Sequence, residues 1–164
     1  MANQAAWQST LLQAQRAERA RQHAQAQQLY ETAERQADSA AARAEVARQF
    51  ADTLLSWERF SDAEAQLQRV VANTPMAVAA WHDLGMVRFR LGLPAGAEVA
   101  FRRAVALAPA DPRPRIALAA MLWAQHRAAD ALREYQALQA LRLPDAVAAK
   151  VAWAIQQLTA AQAR

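Results

Sequence analysis

The stretch WHDLGMVRFRLGLPAGAEVAFRRAVALAP, residues 81–109, decides the fold. Residues at helical spacing lie on either side of a Leu-Gly-Leu-Pro break: Trp81, Leu84 and Gly85 before it, and Ala97, Phe101 and Ala104 after it. Glycine and proline interrupt helices, so the stretch predicts two helices joined by a tight turn. Pro109 then closes the second helix, because proline cannot continue a helix that has started before it.

The same pattern recurs with a period of 34 residues. If one unit starts at Val78, the next starts at Pro112 and the preceding one at Ala44. The later unit places Leu118, Ala119, Ala131 and Tyr135 where the first has Leu84, Gly85, Ala97 and Phe101. The earlier unit places Phe50, Ala51, Ala63 and Leu67 at the same positions. Three units in one register predict an all-α solenoid of helix-turn-helix units.

Small residues occupy the positions at which the two helices of a unit would cross. They are Gly85, Ala51 and Ala119 in the first helices, facing Ala97, Ala63 and Ala131 in the second helices. Only small side chains let two helix axes approach to about 8 Å. We therefore expect these residues to be buried at the helix crossings.

This pattern resembles the tetratricopeptide repeat, whose W-x2-L-G-x2-Y, A-x3-F and P landmarks appear as Trp81, Leu84, Gly85, Ala97, Phe101 and Pro109. Arg88 takes the tyrosine position, Leu138 replaces a small residue in the last full unit, and Pro144 stands one place late. The resemblance implies one α-solenoid domain over residues 1–164. Its parts would be a degenerate helical pair at 1–43, units at 44–77, 78–111 and 112–145, and a capping helix at 146–164.

The first 43 residues are less regular than the rest. A helix pair would place Trp7, Leu11 and Ala14 on one helix and Ala26, Tyr30 and Ala33 on the next. No glycine or proline marks a turn near Arg21, so one long helix over residues 4–37 is an alternative. At the other end, Asp145 can cap a final helix. Its apolar residues Val147, Val151, Ile155 and Leu158 lie near one face.

Five tryptophans have different predicted environments. Trp81 and Trp7 belong to the core by their repeat positions, and Trp57 falls at a turn where partial exposure is expected. Trp123 lies on the inner face of its helix. Trp153 stands off the apolar face of the final helix, so it either packs on the preceding helix or is an exposed contact.

Composition narrows the class of protein further. The chain has no cysteine, which excludes disulfides and thiolate chemistry, and its net charge is +4. Basic charge is almost entirely arginine, which, with the excess of alanine, indicates a GC-rich bacterial genome. The N-terminus lacks the basic and apolar regions of a signal peptide, so we expect a soluble, cytoplasmic protein.

No motif in the sequence predicts chemistry. The three histidines form no metal-ligand spacing, and there is no phosphate-binding loop or nucleophile motif, so we expect no metal, no cofactor and no catalytic residue. The arginines are spread along the chain without interleaved aromatic residues, which argues against nucleic acid. No stretch is apolar enough for membrane insertion.

The resemblance implies a concave groove lined by the first helix of each unit. At the groove positions the chain has Arg48, Asp52, His82, Met86, Phe89, Arg90, Arg113, Ile116 and Trp123 as candidate partner-binding residues. Some members of the family grip a C-terminal carboxylate with basic residues and asparagines. Here Asp52 and Asp83 replace the asparagines and Ala117 replaces a basic residue, so that clamp is not expected. A partner with apolar and acidic residues fits better.

These features predict a non-catalytic module that binds a peptide or protein segment, as a scaffold, co-chaperone or complex subunit. One alternative is a regulatory or positioning subunit of an enzyme complex, such as a bacterial synthase or transferase. Another is a self-assembling scaffold, because an open solenoid can stack into a homo-oligomer unless its ends are capped.

Overall fold

The computed structural model describes the backbone of residues 2–162 and the side chains of residues 6–161. This part of the chain forms nine α-helices and no strand. They are α1 (Ala2–Arg19), α2 (His23–Gln36), α3 (Ala40–Ser56), α4 (Phe60–Asn73), α5 (Val78–Arg90), α6 (Pro94–Leu107), α7 (Pro112–Ala124), α8 (Ala128–Leu138) and α9 (Asp145–Gln162).

The helices pack as successive hairpins. The most extensive contacts join α1 to α2, α3 to α4, α5 to α6 and α7 to α8, and smaller interfaces join each hairpin to the next. Helix α9 packs on α8 at the end of the series. The all-α solenoid predicted from the 34-residue period is confirmed.

The N-terminal segment forms two helices rather than one. The backbone turns at residues 20–22, where Arg21 adopts the left-handed conformation with φ of 57°. Helix α3 then begins at Ala40, before the unit boundary predicted at residue 44. The reason is that the Ser39 hydroxyl caps α3 by accepting a hydrogen bond from the Ala42 amide at 3.0 Å.

All four hairpins turn in the same way. One residue in each turn has a positive φ: Arg21, Glu58, Gly92 and His126. The next amide donates to a carbonyl five residues earlier, in the pairs Gln22–Ala17, Arg59–Leu54, Leu93–Arg88 and Arg127–Leu122, at 2.9–3.0 Å. This is the Schellman closure of a helix C-terminus, in which glycine is the favoured left-handed residue.

Replacing Glu58 or His126 by glycine is therefore expected to stabilise the protein. This conformation costs a residue with a Cβ about 1 kcal/mol relative to glycine. The free energy of unfolding, measured by urea denaturation, should therefore rise by a similar amount. Both side chains are exposed, so little else is lost. Glu58→Ala keeps the Cβ and should give no gain. Equal stability of the glycine and alanine variants would contradict this account of the turn.

Small residues lie at the helix crossings, as predicted. Ala51, Ala63, Ala97, Ala119 and Ala131 are fully buried, and so are Ala14 and Ala26 in the first hairpin. Gly85 of α5 lies under the Phe101 ring of α6, and a Cβ built on Gly85 would stand 2.6 Å from two ring carbons. The Phe101 ring can lie at this position only because residue 85 has no side chain.

Trp81 is not a core residue, contrary to the prediction. It is half-buried beside the middle core cluster, and its indole N–H donates to the Pro75 carbonyl at 2.9 Å. Trp7 is also only half-buried. Both lie near the first turn of a helix, where the ring reaches the edge of the core. Trp57 is partly exposed at its turn, as expected, and stacks on His23 with ring centroids 4.3 Å apart.

Two carboxylates join the last two hairpins through ion pairs. Glu98 of α6 accepts from Arg102 of the same helix and from Arg127 at the start of α8. Glu134 of α8 accepts from Arg115 of α7 at 2.9 Å and from Arg102 at 3.4 Å. Both carboxylates are mostly shielded from solvent, so these pairs are screened less than surface pairs.

Candidate partner-binding surface

An apolar cavity of about 430 Å³ opens between α5 and α7. Its walls are His82, Met86 and Phe89 from α5 and Arg113, Ile116, Ala117, Ala120 and Met121 from α7, with Phe101 of α6 behind them. Phe101 and Met121 are buried and form the floor. Met86 and Phe89 are 41% and 39% exposed, so apolar surface is open to solvent at the rim. We call the side of the solenoid formed by the first helix of each hairpin, α1, α3, α5 and α7, the inner surface.

Helical spacing places the wall residues together. Residues 82, 86 and 89 follow one face of α5, and residues 113, 116 and 120 follow one face of α7. The start of α7 is fixed by Asp111, whose carboxylate accepts from the Arg113 amide at 3.0 Å, and by Pro112 in the first turn. The two helices therefore present matched faces to the space between them.

A second cavity of about 250 Å³ lies between α3 and α5. Leu55, Phe60, Asp83, Met86, Val87 and Arg90 line it. Met86 borders both cavities, so the two are neighbours on the inner surface. The Arg90 guanidinium carbon lies 5.2 Å from the centroid of the Phe60 ring, a cation–π arrangement that holds the arginine at the rim.

Two of the three candidate arginines already have carboxylate partners in the chain. Arg48 donates to Glu45 at 2.9 Å and to Asp52 at 3.2 Å on α3. Arg113 binds Asp111 through two nitrogens, at 2.7 and 3.0 Å, and this guanidinium holds the pKa of Asp111 below its ordinary value. Among the described salt bridges, none includes Arg90.

The N-terminal part of the inner surface is polar and acidic. A third cavity, of about 310 Å³, is lined by Gln15, Glu18, Arg19, Tyr30, Gln49, Asp52 and Thr53. Burial raises the pKa of Asp52, and the charges of Asp83 and Glu45 raise it further, while Arg48 opposes them. The inner surface thus changes from polar at α1 and α3 to apolar at α5 and α7.

Trp123 does not line the cavity between α5 and α7. Its half-buried ring packs edge-on against Tyr135, with centroids 6.2 Å apart, and lies 5.8 Å from the Trp153 ring of α9. Trp153 is 56% exposed, which agrees with one of the two predicted possibilities, and the ring beside it belongs to α7 rather than to the preceding helix α8.

The structure brings five of the predicted residues to one cavity: His82, Met86, Phe89, Arg113 and Ile116. Arg90 borders the neighbouring cavity, Arg48 and Asp52 lie on α3, and Trp123 lies toward α9. Sequence reasoning missed Phe101 and Met121 as the cavity floor. The signal for Phe101 was its position opposite Gly85, where a large ring faces a residue without a side chain.

The described residues contain no group of three or more His, Cys, Asp or Glu side chains that could hold a metal ion. None of the helices over residues 2–162 is long and apolar enough to cross a membrane. The part of the inner surface between α5 and α7 suits the binding of apolar side chains, with charged groups at its edges.

Comparison with known families supports the repeat assignment. A family model described as tetratricopeptide repeat matches residues 48–112, which include the central hairpin α5–α6. No match is found among curated protein sequences.

Solved structures share the fold at low sequence identity. The Pseudomonas aeruginosa pilF structure has a TM-score of 0.68 and 16% identity, covering 94% of this chain and 72% of that chain. YrrB, described as a TPR protein with an unusual peptide-binding site, has a TM-score of 0.70 and 19% identity, covering 93% and 76%. The first TPR of Spaghetti, bound to the HSP90 peptide SRMEEVD, has a TM-score of 0.62 and 17% identity, covering 74% and 96%.

Proposed function

We propose that this chain, which matches the tetratricopeptide repeat model over residues 48–112 and shares the fold of solved TPR proteins, is a non-catalytic module that binds a segment of a partner protein on its inner surface. Its role would be that of a scaffold, a co-chaperone or a subunit of a larger complex. The proposed partner-binding residues are Arg48, Asp52, His82, Met86, Phe89, Arg90, Arg113, Ile116 and Trp123.

The cavity between α5 and α7 is the observation that carries this proposal. A volume of about 430 Å³ with a buried floor and the exposed rim residues Met86 and Phe89 is large enough for a bulky apolar side chain. Binding would remove this apolar surface from water, at about 25 cal/mol for each Å² buried. Two of the structural neighbours are described with a peptide or a peptide-binding site, which supports a peptide-like partner.

Charge at the rim refines the chemistry of the partner. Arg90 has no carboxylate partner among the described residues and stands at the edge of the second cavity. Arg113 is more exposed than Arg48, at 76% for its side chain, although Asp111 binds it from one side. We therefore expect the partner to bring an acidic residue toward these two guanidinium groups beside its apolar anchor.

Charge reversal at Arg90 and Arg113 tests the proposal. Arg90→Glu with Arg113→Glu should abolish capture of the native partner, because an acidic segment would then meet two carboxylates. The partner is first identified by affinity capture from native cells with mass spectrometry, and its retention is then quantified with purified proteins. Helicity and melting temperature should not change, since both side chains are exposed.

A matched double variant separates this site from general surface charge. Arg103→Glu with Arg133→Glu changes two exposed arginines on the second helices α6 and α8, one of which, Arg133, binds a nearby aspartate as Arg113 does. This control should retain the partner fully. If the Arg90 and Arg113 variant also retains it at physiological salt, the inner surface is not the binding site.

A further inference from the structure

Helix α9 carries an aromatic residue that its role as a cap does not require. Val151, Ala154 and Leu158 are the buried residues of α9 and pack into the C-terminal core cluster. Trp153 lies off this face and is 56% exposed. Most of this side chain is open to solvent, so it does not serve to cover the C-terminal core.

The Trp153 ring is held in place by a second tryptophan. Its centroid lies 5.8 Å from that of Trp123, at an interplanar angle of 38°, and Trp123 packs in turn on Tyr135. Tyr135 is buried in the core. The aromatic pair is therefore fixed from behind, and a partner would pay little side-chain entropy to use it.

The tryptophan pair continues the apolar surface of the cavity. Ile116 and Ala120 of α7 line the cavity, and Trp123 follows them on the same face of that helix. Trp123 then lies beside the Trp153 ring, so apolar side chains follow one another from the cavity along α7 to α9.

A cationic side chain lies at this end of the surface. Lys150, the single lysine of the chain, is exposed and lies three residues before Trp153, on the same side of α9. None of the salt bridges among the described residues includes it. An acidic residue of a bound segment would complement this ammonium group.

We propose that Trp123 and Trp153 form a second apolar anchor site, so that the partner segment extends from the cavity at Phe89 to α9 and places an acidic residue beside Lys150. The inference rests on the proposed function and deepens it. It makes α9 part of the binding surface, and it specifies a segment with two apolar anchors and an acidic residue near the second anchor.

A peptide selection with the full chain tests this proposal. Binders are selected from a random dodecapeptide library, the consensus peptide is synthesised with a fluorescent label, and its Kd is measured by anisotropy. We expect two bulky apolar residues and an acidic residue in the consensus. Trp153→Ala should raise the Kd at least tenfold, and Lys150→Glu should raise it severalfold. Val99→Ala, at a 63% exposed residue of α6, is the matched control and should change the Kd less than twofold.

The outcomes separate this inference from the proposed function. If Phe89→Ala weakens binding but Trp153→Ala does not, α9 is not part of the surface and only the inference fails. A consensus without an acidic residue also overturns the inference alone. If no peptide is selected, or neither variant weakens binding, the proposed function fails as well. If the wild-type chain forms a dimer in light scattering that Trp153→Ala dissociates, the tryptophan contacts a second copy and the inference is overturned.

Discussion

Replacing Gly85 by leucine is expected to lower the free energy of unfolding by about 3 kcal/mol or more. A Cβ alone would stand 2.6 Å from the Phe101 ring, which is itself buried against α7, so neither helix can yield without opening the interface between two hairpins. Ala97→Leu should act in the same direction, because Ala97 is fully buried in the same cluster. Urea denaturation followed by circular dichroism measures both effects.

Gly96→Ala is the matched control for this prediction. It also replaces a glycine of the α5–α6 hairpin, but its added Cβ would meet only the flexible Arg88 side chain, at 3.1 Å. The gain in helix propensity should offset that contact, so the free energy of unfolding should change by less than about 1 kcal/mol. A wild-type unfolding midpoint for Gly85→Leu would show that the register of the repeat is wrong.

Deleting residues 145–164 is expected to turn the protein into an aggregating or oligomeric species. Helix α9 covers Leu138 and Tyr135 of α8 with Val151, Ala154 and Leu158, all of them buried. Its removal would leave a contiguous apolar flank on the last hairpin, and such a flank is complementary to the same flank of another copy. Multi-angle light scattering after size exclusion measures the change in mass.

Trp153→Ala provides the control for the deletion. This variant keeps the covering face of α9 and removes only a ring that is largely exposed, so it should elute at the wild-type mass. A stable, monodisperse product of the deletion would contradict the role of α9 as a cap.

The repeat register could be predicted because it depends on local spacing. Gly85 opposite Ala97, and the same pair of small residues 34 positions away in both directions, leaves one way to pack the helices closely. The first hairpin could not be predicted with the same clarity. Its turn has Arg21 where glycine is favoured, as Glu58 and His126 stand in two later turns, but the first 43 residues lack the repeat landmarks by which the 34-residue period located those two turns.

The candidate surface was predicted only in part, for reasons of side-chain geometry. The repeat positions place His82, Met86 and Phe89 on one face of α5, and the structure finds them at one cavity. Asp111 neutralises the charge of Arg113 because it is the N-cap residue of α7, and the repeat pattern does not specify that residue. The exposure of Trp153 depends on which face of α9 the C-terminal core takes, and helical spacing alone left that choice open.

The carboxylates Glu98 and Glu134 have a consequence for the cooperativity of unfolding. In a linear array each hairpin is stabilised mainly by its neighbours, so the sharpness of unfolding depends on the strength of coupling between hairpins. Glu98 links α6 to α8, and Glu134 links α8 to α6 and α7, so opening one of these helices breaks ion pairs of the others. These ion pairs thereby couple the last two hairpins into one unfolding unit. If high ionic strength weakens the pairs, the unit divides and the m-value of urea unfolding should fall.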